Sequence, residues 1–142
     1  MNTSWLCVDA SLVVRLVTKP RGYPLRDQWT AWEKSGMRFT APGLLWYEVT
    51  NALYQYGKHG TMSADAIRAS LDSALSLPVV LTADSELHIR SLHMAERFSL
   101  PAAYDAHYLA LADQLGAELW TLDRRLARAV GDRFPWVRVW QA

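Results

Sequence analysis

Short runs of apolar residues alternate along the chain with longer segments in which apolar residues recur every three or four positions. The short runs are β-like and lie near residues 5–8, 38–41, 79–81, 118–121 and 137–140. The segments between them have helical periodicity and predict helices near 11–17, 24–35, 44–58, 64–77, 85–97, 104–115 and 124–130. Alternation of this kind favours a parallel sheet with helices on both faces. We therefore predict an α/β fold with a central parallel sheet of about five strands.

Residues at the ends of the predicted helices support these boundaries. Gly116 and Gly131 each follow a predicted helix where a left-handed C-terminal cap would fall, and Ser63 precedes one as an N-cap. The stretch 18–23, with its proline and glycine, is the most loop-like part of the chain. Because the sequence has no repeat, low-complexity tract or linker, residues 1–142 are expected to form one domain.

The helix predicted at 44–58 carries apolar or aromatic residues on nearly all of its sides, from Leu44 to Tyr56. One face against a core cannot cover them all. Two explanations stay open: deep burial within the monomer, or a second covering by a twin subunit or another protein. The seven tryptophans of so short a chain favour the second explanation.

Composition excludes several classes of protein. An apolar share of 51% with 20% charged residues is typical of a globular chain rather than a disordered one. No apolar run approaches the roughly 20 residues of a membrane helix, and no secretory signal precedes the first strand, so we expect a cytoplasmic protein. Cys7 is the only cysteine. A single cysteine cannot form an internal disulfide or a cysteine-based zinc site, and Cys7 is expected in the core.

Acidic residues recur at one kind of position. Asp9 and Asp123 each follow a predicted strand, and Asp105 lies at the start of a predicted helix. Ligand sites of open α/β sheets lie beyond the carboxyl ends of the strands, so these acids are expected to share a pocket. Glu48 is a fourth candidate, because burial in mid-helix among aromatic residues is costly without a partner. Taken singly, Asp9 and Asp123 are explained equally well as helix N-caps.

Four carboxylates in one pocket repel one another unless a cation or raised pKa values compensate. Mg²⁺ or Mn²⁺ is expected here, since hard cations prefer oxygen ligands, and two such ions can promote in-line hydrolysis of a phosphodiester. Asn51 shares a helical face with Glu48 and can orient a water or phosphate. Ser11 and Thr121, near Asp9 and Asp123, can donate hydrogen bonds to the ligands.

The histidines give a weaker signal. His88 and His93 are five positions apart, which does not match one helical face. His107, two residues from Asp105, is the one histidine that we keep as a candidate.

Four segments resemble, in order, the motifs of the PIN domain: VDAS at 8–11, YEVTNAL at 47–53, YDAHYLALA at 104–112 and TLDRRL at 121–126. The subgroup they resemble most is the VapC-like toxins, and the resemblance covers essentially the whole chain. It implies a Mg²⁺- or Mn²⁺-dependent endoribonuclease that is the toxin of a type II toxin-antitoxin pair. It also implies a homodimer that is held inactive by a cognate antitoxin, whose tail enters the active-site groove.

The resemblance also implies roles for particular residues. By position, Asp9, Glu48, Asp105 and Asp123 correspond to the acidic metal-binding and catalytic residues of the family. Asn51 matches the polar position after the helical glutamate, and Thr121 matches the Ser/Thr of the last motif.

The positive charge of the chain is concentrated near its end. The net charge is +1, yet residues 124–138 include five arginines and one acid. A solvated helix face and a rim that contacts phosphates both account for this excess. As candidate contacts to the RNA backbone we name Lys19 and Arg21 in the loop, and Arg124 and Arg125 at the start of the last helix.

Three other functions share parts of this sequence pattern. A receiver-like signalling domain also has an acidic Mg²⁺ pocket, but it would need paired acids after the first strand and a lysine after the fifth. Here Ala10 follows Asp9, and no lysine occurs after Lys58. A phosphatase with an Asp-x-Asp motif fails because Ser11 replaces the second acid. A PIN-like module that binds RNA or protein without cutting is an open alternative.

Overall fold

The computed structural model describes residues 4–141, and in this part of the chain strands alternate with helices as the periodicity predicts. The strands are β1 (Trp5–Val8), β2 (Arg38–Pro42), β3 (Val79–Thr82), β4 (Glu118–Thr121) and β5 (Val137–Val139). The helices are α1 (Ala10–Thr18), α2 (Pro24–Lys34), α3 (Leu45–Lys58), α4 (Ala64–Leu75), α5 (Ser85–Phe98), α6 (Tyr104–Leu115) and α7 (Arg124–Val130), with a 3₁₀ turn at Gly131–Arg133.

The five strands form one sheet in the order β3-β2-β1-β4-β5, and every neighbouring pair is parallel. The predicted α/β fold with a five-stranded parallel sheet is confirmed. Strand β1 lies at the centre and is almost wholly buried, with Leu6 opposite both Phe39 and Glu118. The chain adds β2 and β3 on one side of β1 and then crosses to add β4 and β5 on the other. The strand order therefore reverses between β1 and β4, which is where such sheets open a crevice.

The helix boundaries agree with the prediction within two residues. The largest difference is at α4, which ends at Leu75 instead of Leu77. There the Ser76 hydroxyl donates to the Asp72 carbonyl at 2.8 Å. The next backbone hydrogen bond spans three residues instead of four, so the α-helix ends. Strand β5 ends at Val139, although the Trp140 N–H still donates to the Thr121 carbonyl at 2.9 Å.

Two of the three predicted caps are confirmed. Ser63 accepts a hydrogen bond from the Ala66 N–H at 3.2 Å, and Gly116 is left-handed with φ 62° and ψ 33°. Gly131 is different. Its φ is positive, but with ψ at −144° it is not a left-handed cap, because the chain continues directly into the 3₁₀ turn.

Three of the tryptophans pack in or against the core. Trp29 is buried and stacks on Phe39 with ring centroids 3.8 Å apart. Trp32 contacts both Trp29 and Trp120, and Trp32 and Trp120 are partly buried against the core. Packing within the molecule accounts for these three contacts, so the interface suggested by the number of tryptophans stays a prediction. Cys7 is fully buried in the same core, as predicted, and burial raises the pKa of its thiol.

Helix α3 buries one face and exposes another. Leu45, Val49 and Leu53 are buried, whereas Tyr47 is 81% exposed and Tyr54 is 63% exposed. Burial within the monomer therefore does not account for these two tyrosines. Within residues 4–141, none of the helices combines the length and the apolar character needed to cross a bilayer.

Candidate active site

The four acids named from the sequence approach one another at the carboxyl edge of the sheet, beside the point where the strand order reverses. Asp9 directly follows β1, and Asp123 lies two residues beyond β4. Asp105 is in the first turn of α6. Glu48 is in the first turn of α3, whose N-cap is Leu44, and not in mid-helix as the sequence analysis described it.

Asp9 is held by hydrogen bonds on both carboxylate oxygens. Its Oδ1 accepts from the Leu12 N–H at 3.0 Å, which caps α1, and from the Ser11 hydroxyl at 2.7 Å. Its Oδ2 accepts from the Thr121 hydroxyl. The pKa of Asp9 is raised to about 6, because burial, with a smaller contribution from the charge of Asp105, outweighs the lowering effect of these three donors. Asp9 is therefore an N-cap, but capping does not explain why the Ser11 and Thr121 hydroxyls also donate to its carboxylate.

Thr121 and Ser11 connect the two strand ends. The Thr121 hydroxyl accepts from the Asp123 N–H at 2.9 Å while it donates to Asp9, because β1 and β4 are neighbours in the sheet. The Ser11 hydroxyl accepts from the Leu122 N–H at 3.1 Å. Asp123 caps α7, and its Oδ1 accepts from the N–H groups of the next turn. These bonds fix Asp9 and Asp123 relative to each other.

Glu48 has a partner that the sequence analysis missed. The hydroxyl of Tyr108 donates to Glu48 Oε1 at 2.6 Å. Burial raises the pKa of Glu48, the Tyr108 hydrogen bond opposes this, and the charge of Asp105 raises it further. Tyr108 could have been suspected, because it lies three residues after Asp105 and so shares its helical face.

Asp105 interacts electrostatically with all three other acids. Burial raises the pKa of Asp105, the negative charge of Asp123 raises it further, and the positive charge of Arg125 lowers it. Asp105 in turn raises the pKa of Asp9 and of Glu48. Asp105 is thus the acid that couples electrostatically to each of the other three.

The donor set of this cluster consists of oxygen atoms, which suits Mg²⁺ or Mn²⁺. Among residues 4–141, however, no three Asp, Glu, His or Cys side chains lie close enough together to hold one ion by themselves. The expectation that all four acids converge directly on a single ion is therefore not met. Mg²⁺ typically binds one or two carboxylates and keeps several waters. The residues fit an ion that retains part of its water shell.

A cleft of about 700 Å³ opens beside the cluster. Three segments line it: α1, α3 and the chain from Leu122 into α7. The lining includes the predicted residues Ser11, Glu48, Asn51, Asp123, Arg124 and Arg125. Lys19 and Arg21 are exposed, but they are not part of this lining. Arg15 and Tyr56 line the cleft and were not foreseen, since each lies a few residues beyond the end of a motif.

His107 pairs with His88, a contact that the spacing of the histidines did not suggest. Nδ1 of His88 and Nε2 of His107 are 2.9 Å apart, and His107 Nδ1 lies 2.7 Å from the Ala103 carbonyl. Because a carbonyl can only accept, His107 carries a proton on Nδ1. His107 lies near enough to lower the pKa of Glu48.

The comparison with known families agrees with the motifs. The model of the PIN domain matches residues 6–131, so the chain belongs to the PIN domain family. Its resemblance to VapC-like members is confirmed by a match to "Ribonuclease VapC3" from Pyrobaculum aerophilum, 31% identical over 94 residues. That match covers 63% of this chain, and the chain spans 66% of the length of that relative.

Solved structures share the fold over most of the chain. The protein PAE2754 from Pyrobaculum aerophilum is similar, with a TM-score of 0.67, 27% identity, and coverage of 91% of this chain and 87% of that one. VapBC2 from Rickettsia felis, bound to a DNA fragment from its promoter, gives a TM-score of 0.70 at 13% identity and covers 96% and 99% of the two chains. A toxin-antitoxin complex from Klebsiella pneumoniae gives 0.62 at 18% identity, with coverage of 94% and 95%. Because the last two structures are only 13% and 18% identical to this chain, their similarity concerns the fold alone.

Proposed function

We propose that this chain is an endoribonuclease that hydrolyses RNA phosphodiester bonds with the help of Mg²⁺ or Mn²⁺. The observation that carries the proposal is the position of Asp105, whose charge interacts with Asp9, Glu48 and Asp123 inside one partly buried cluster. Such a cluster is unfavourable on its own and gains stability from a cation. An active ribonuclease would be in keeping with the name of the relative, "Ribonuclease VapC3".

In this proposal the four acids hold the ion and its waters. A bound divalent ion would supply a water of lowered pKa and would neutralise charge at the phosphate. Ser11 and Thr121 orient Asp9, and Tyr108 orients Glu48, so that the carboxylates are held before substrate arrives. Asn51, on the cleft wall beside Glu48, can donate to a water or phosphate oxygen.

The cleft also offers cations for the substrate. Arg124 and Arg125 lie next to Asp123 at the mouth of the cleft, where each can bind a backbone phosphate. Lys19 and Arg21 lie in the loop before α2 and would contact RNA farther from the acids. The motif order VDAS to TLDRRL, together with these cations, supports RNA as the substrate.

We further propose that the chain is the toxin of a type II toxin-antitoxin pair in the cytoplasm, with residues 1–142 forming one PIN domain. A cognate antitoxin and a second copy of the chain are the proposed partners. The exposed aromatic side chains Tyr47 and Tyr54 support a protein contact on α3, close to the cleft. The neighbouring residue Asn51 lines both this aromatic surface and the cleft, so a partner seated there would also restrict access to the acids.

Incubation with defined RNAs tests the proposal. The wild-type chain is expected to cut RNA with Mn²⁺ and not with a chelator, and Asp105→Asn is expected to lose cleavage while it stays folded. RNA binding without cleavage by the wild type would favour the non-catalytic PIN-like module. Phosphorylation of an aspartate after the third strand by a small phosphodonor, without any cleavage of RNA, would favour the receiver-like alternative.

A further inference from the structure

Arg15 occupies an unusual position in α1. It is the only charged residue of that helix, and it is exposed, whereas Leu12, Val13, Val14, Leu16 and Val17 are buried. Its side chain lines the same cleft as Glu48 and Asp123. Within residues 4–141, none of the ion pairs includes Arg15. Among the described residues, no acid therefore lies within ion-pair distance of this cation.

The guanidinium of Arg15 is held by one neutral partner. Its Nη1 donates to the Tyr23 hydroxyl at 3.3 Å. A guanidinium has five N–H donors, so this bond positions the group and leaves donors for an anion. An arginine that is fixed in this way loses less side-chain freedom when it binds a ligand.

Tyr23 is itself fixed to the sheet. Its ring centroid lies 5.7 Å from that of Trp140, which is buried. The backbone N–H of Trp140 donates to the Thr121 carbonyl. The ammonium of Lys19 lies 5.8 Å from the centre of the Tyr23 ring, and Arg26 Nε donates to the Lys19 carbonyl at 2.9 Å. Two cations, Arg15 on α1 and Lys19 just after that helix, thus contact one anchored tyrosine.

Arg15 and Asp9 lie at different levels of α1. Arg15 is six positions beyond Asp9, which is about 9 Å along the axis of the helix. Of the four acids, Glu48 and Asp123 line the cleft together with Arg15. This spacing leaves room for two phosphates in one cleft, one at the acids and one at Arg15.

We infer that Arg15, positioned by Tyr23, is a substrate-binding residue that contacts a backbone phosphate of single-stranded RNA next to the scissile one. This inference rests on the proposed function. Arg15 and the pair Arg124 and Arg125 then bind the RNA backbone at separate points of the cleft. Tyr23 is a positioning residue, because it acts on RNA through Arg15. Contacts of this kind add affinity without sequence preference.

RNA binding without turnover tests the inference. The parent protein is Asp105→Asn, the probe is a labelled single-stranded RNA oligonucleotide, and the dissociation constant is measured over a KCl series at fixed Mn²⁺. Adding Arg15→Gln should weaken binding by about tenfold, since a charge-assisted hydrogen bond is lost. It should also reduce the slope of log affinity against log salt by about 0.7, the contribution of one phosphate contact in a single strand.

Further variants separate charge from position. Arg15→Lys keeps the charge, so it should keep the salt slope of the parent while it binds more weakly than arginine. Tyr23→Phe keeps the ring and its contact with Trp140 but removes the hydroxyl, so it should weaken binding by about twofold to threefold with an unchanged slope. Arg68→Gln is the matched control, because Arg68 is an exposed arginine on α4 outside the cleft lining.

The possible outcomes are distinct. If Arg15→Gln keeps the affinity and salt slope of the parent, or if Arg68→Gln changes them as much, the inference is overturned while the proposed function stands. If the parent protein binds no RNA even at low salt, the proposed function and the inference fail together. Melting curves should be similar for all variants, since Arg15 and Arg68 are exposed.

Discussion

The hydroxyl of Tyr108 donates a 2.6 Å hydrogen bond to Oε1 of Glu48, and this bond joins α6 to α3 at the edge of the acidic cluster. Tyr108 is almost fully buried, and burial together with the Glu48 carboxylate raises its pKa, so the hydroxyl stays a donor at all physiological pH values. Because the bond favours the charged form of Glu48, it opposes the effect of burial. Tyr108 thus keeps Glu48 available as a carboxylate.

Replacing Tyr108 by phenylalanine tests this role. Tyr108→Phe should raise the pKa of Glu48, so the acid limb of the pH-rate profile for RNA cleavage should move to higher pH. The free energy of unfolding should fall by about 1 kcal/mol, the net value of one hydrogen bond. Tyr54→Phe, at an exposed position on the same helix as Glu48, should change neither quantity. An unchanged pH profile in Tyr108→Phe would show that the bond is structural only.

Asp9 and Asp123 are both N-caps and candidate metal ligands, and asparagine separates the two roles. Asn caps a helix about as well as Asp, so Asp9→Asn and Asp123→Asn should fold with melting temperatures close to wild type. Cleavage should fall by at least about 100-fold, since several kcal/mol of charge stabilisation depend on the ion. Asp84→Asn is the matched control, because Asp84 caps α5 away from the cluster. Variants that unfold, but whose folded fraction cuts RNA at the normal rate, would show that the two aspartates act only as caps.

The raised pKa values predict how stability changes with pH. Burial raises the pKa of Asp9 from 3.8 to about 6, so the folded state holds this proton more tightly than the unfolded chain does. The metal-free protein should therefore lose the stability due to this group as pH rises from about 4 to about 6, with no further loss above. The pKa values of Glu48 and Asp105 are raised in the same direction.

Metal binding should show the opposite trend with pH. Below about pH 6 protons compete with the ion for Asp9, so Mn²⁺ should raise the melting temperature more at about pH 7.5 than at about pH 5. Thermal unfolding with and without Mn²⁺ across this range measures the difference. Equal shifts at both pH values would mean that the ion binds elsewhere.

The exposed tyrosines of α3 predict an association. The wild-type chain should sediment as a dimer, or as a complex with the product of the neighbouring gene. The double variant Tyr47→Ser with Tyr54→Ser should weaken that association by roughly tenfold or more, as expected for aromatic residues at an interface. Leu92→Ser is the control, since Leu92 is an exposed apolar residue on α5. A monomer both alone and with the neighbouring gene product would contradict the proposed contact.

Much of the fold could be predicted because its signals are local. Each strand is a short apolar run; Asp9 directly follows β1, and Asp123 lies two residues beyond β4. Because parallel strands end at a common edge of the sheet, acids that come after two such strands in the sequence are expected at the same edge. The capping signals of Ser63 and Gly116 are equally local, since each involves residues within one turn.

The contacts that the sequence did not reveal depend on packing between distant elements. Thr121 bonds to Asp9, 112 residues away, because β1 and β4 pair in the sheet. The bonds of Tyr108 to Glu48 and of His88 to His107 require the positions of whole helices. Arg15 lies a few residues beyond the end of a motif, and only the shape of the cleft shows where its side chain lies.

Anomalous diffraction from crystals soaked in Mn²⁺ at neutral pH tests most directly whether the four acids bind a divalent ion. We predict a peak at coordination distance from Asp105 and from at least one of Asp9, Glu48 and Asp123, and its loss in crystals of Asp105→Asn. A saturating soak that leaves the cleft without any peak, or a peak that persists unchanged in Asp105→Asn, would contradict a metal site built from these carboxylates.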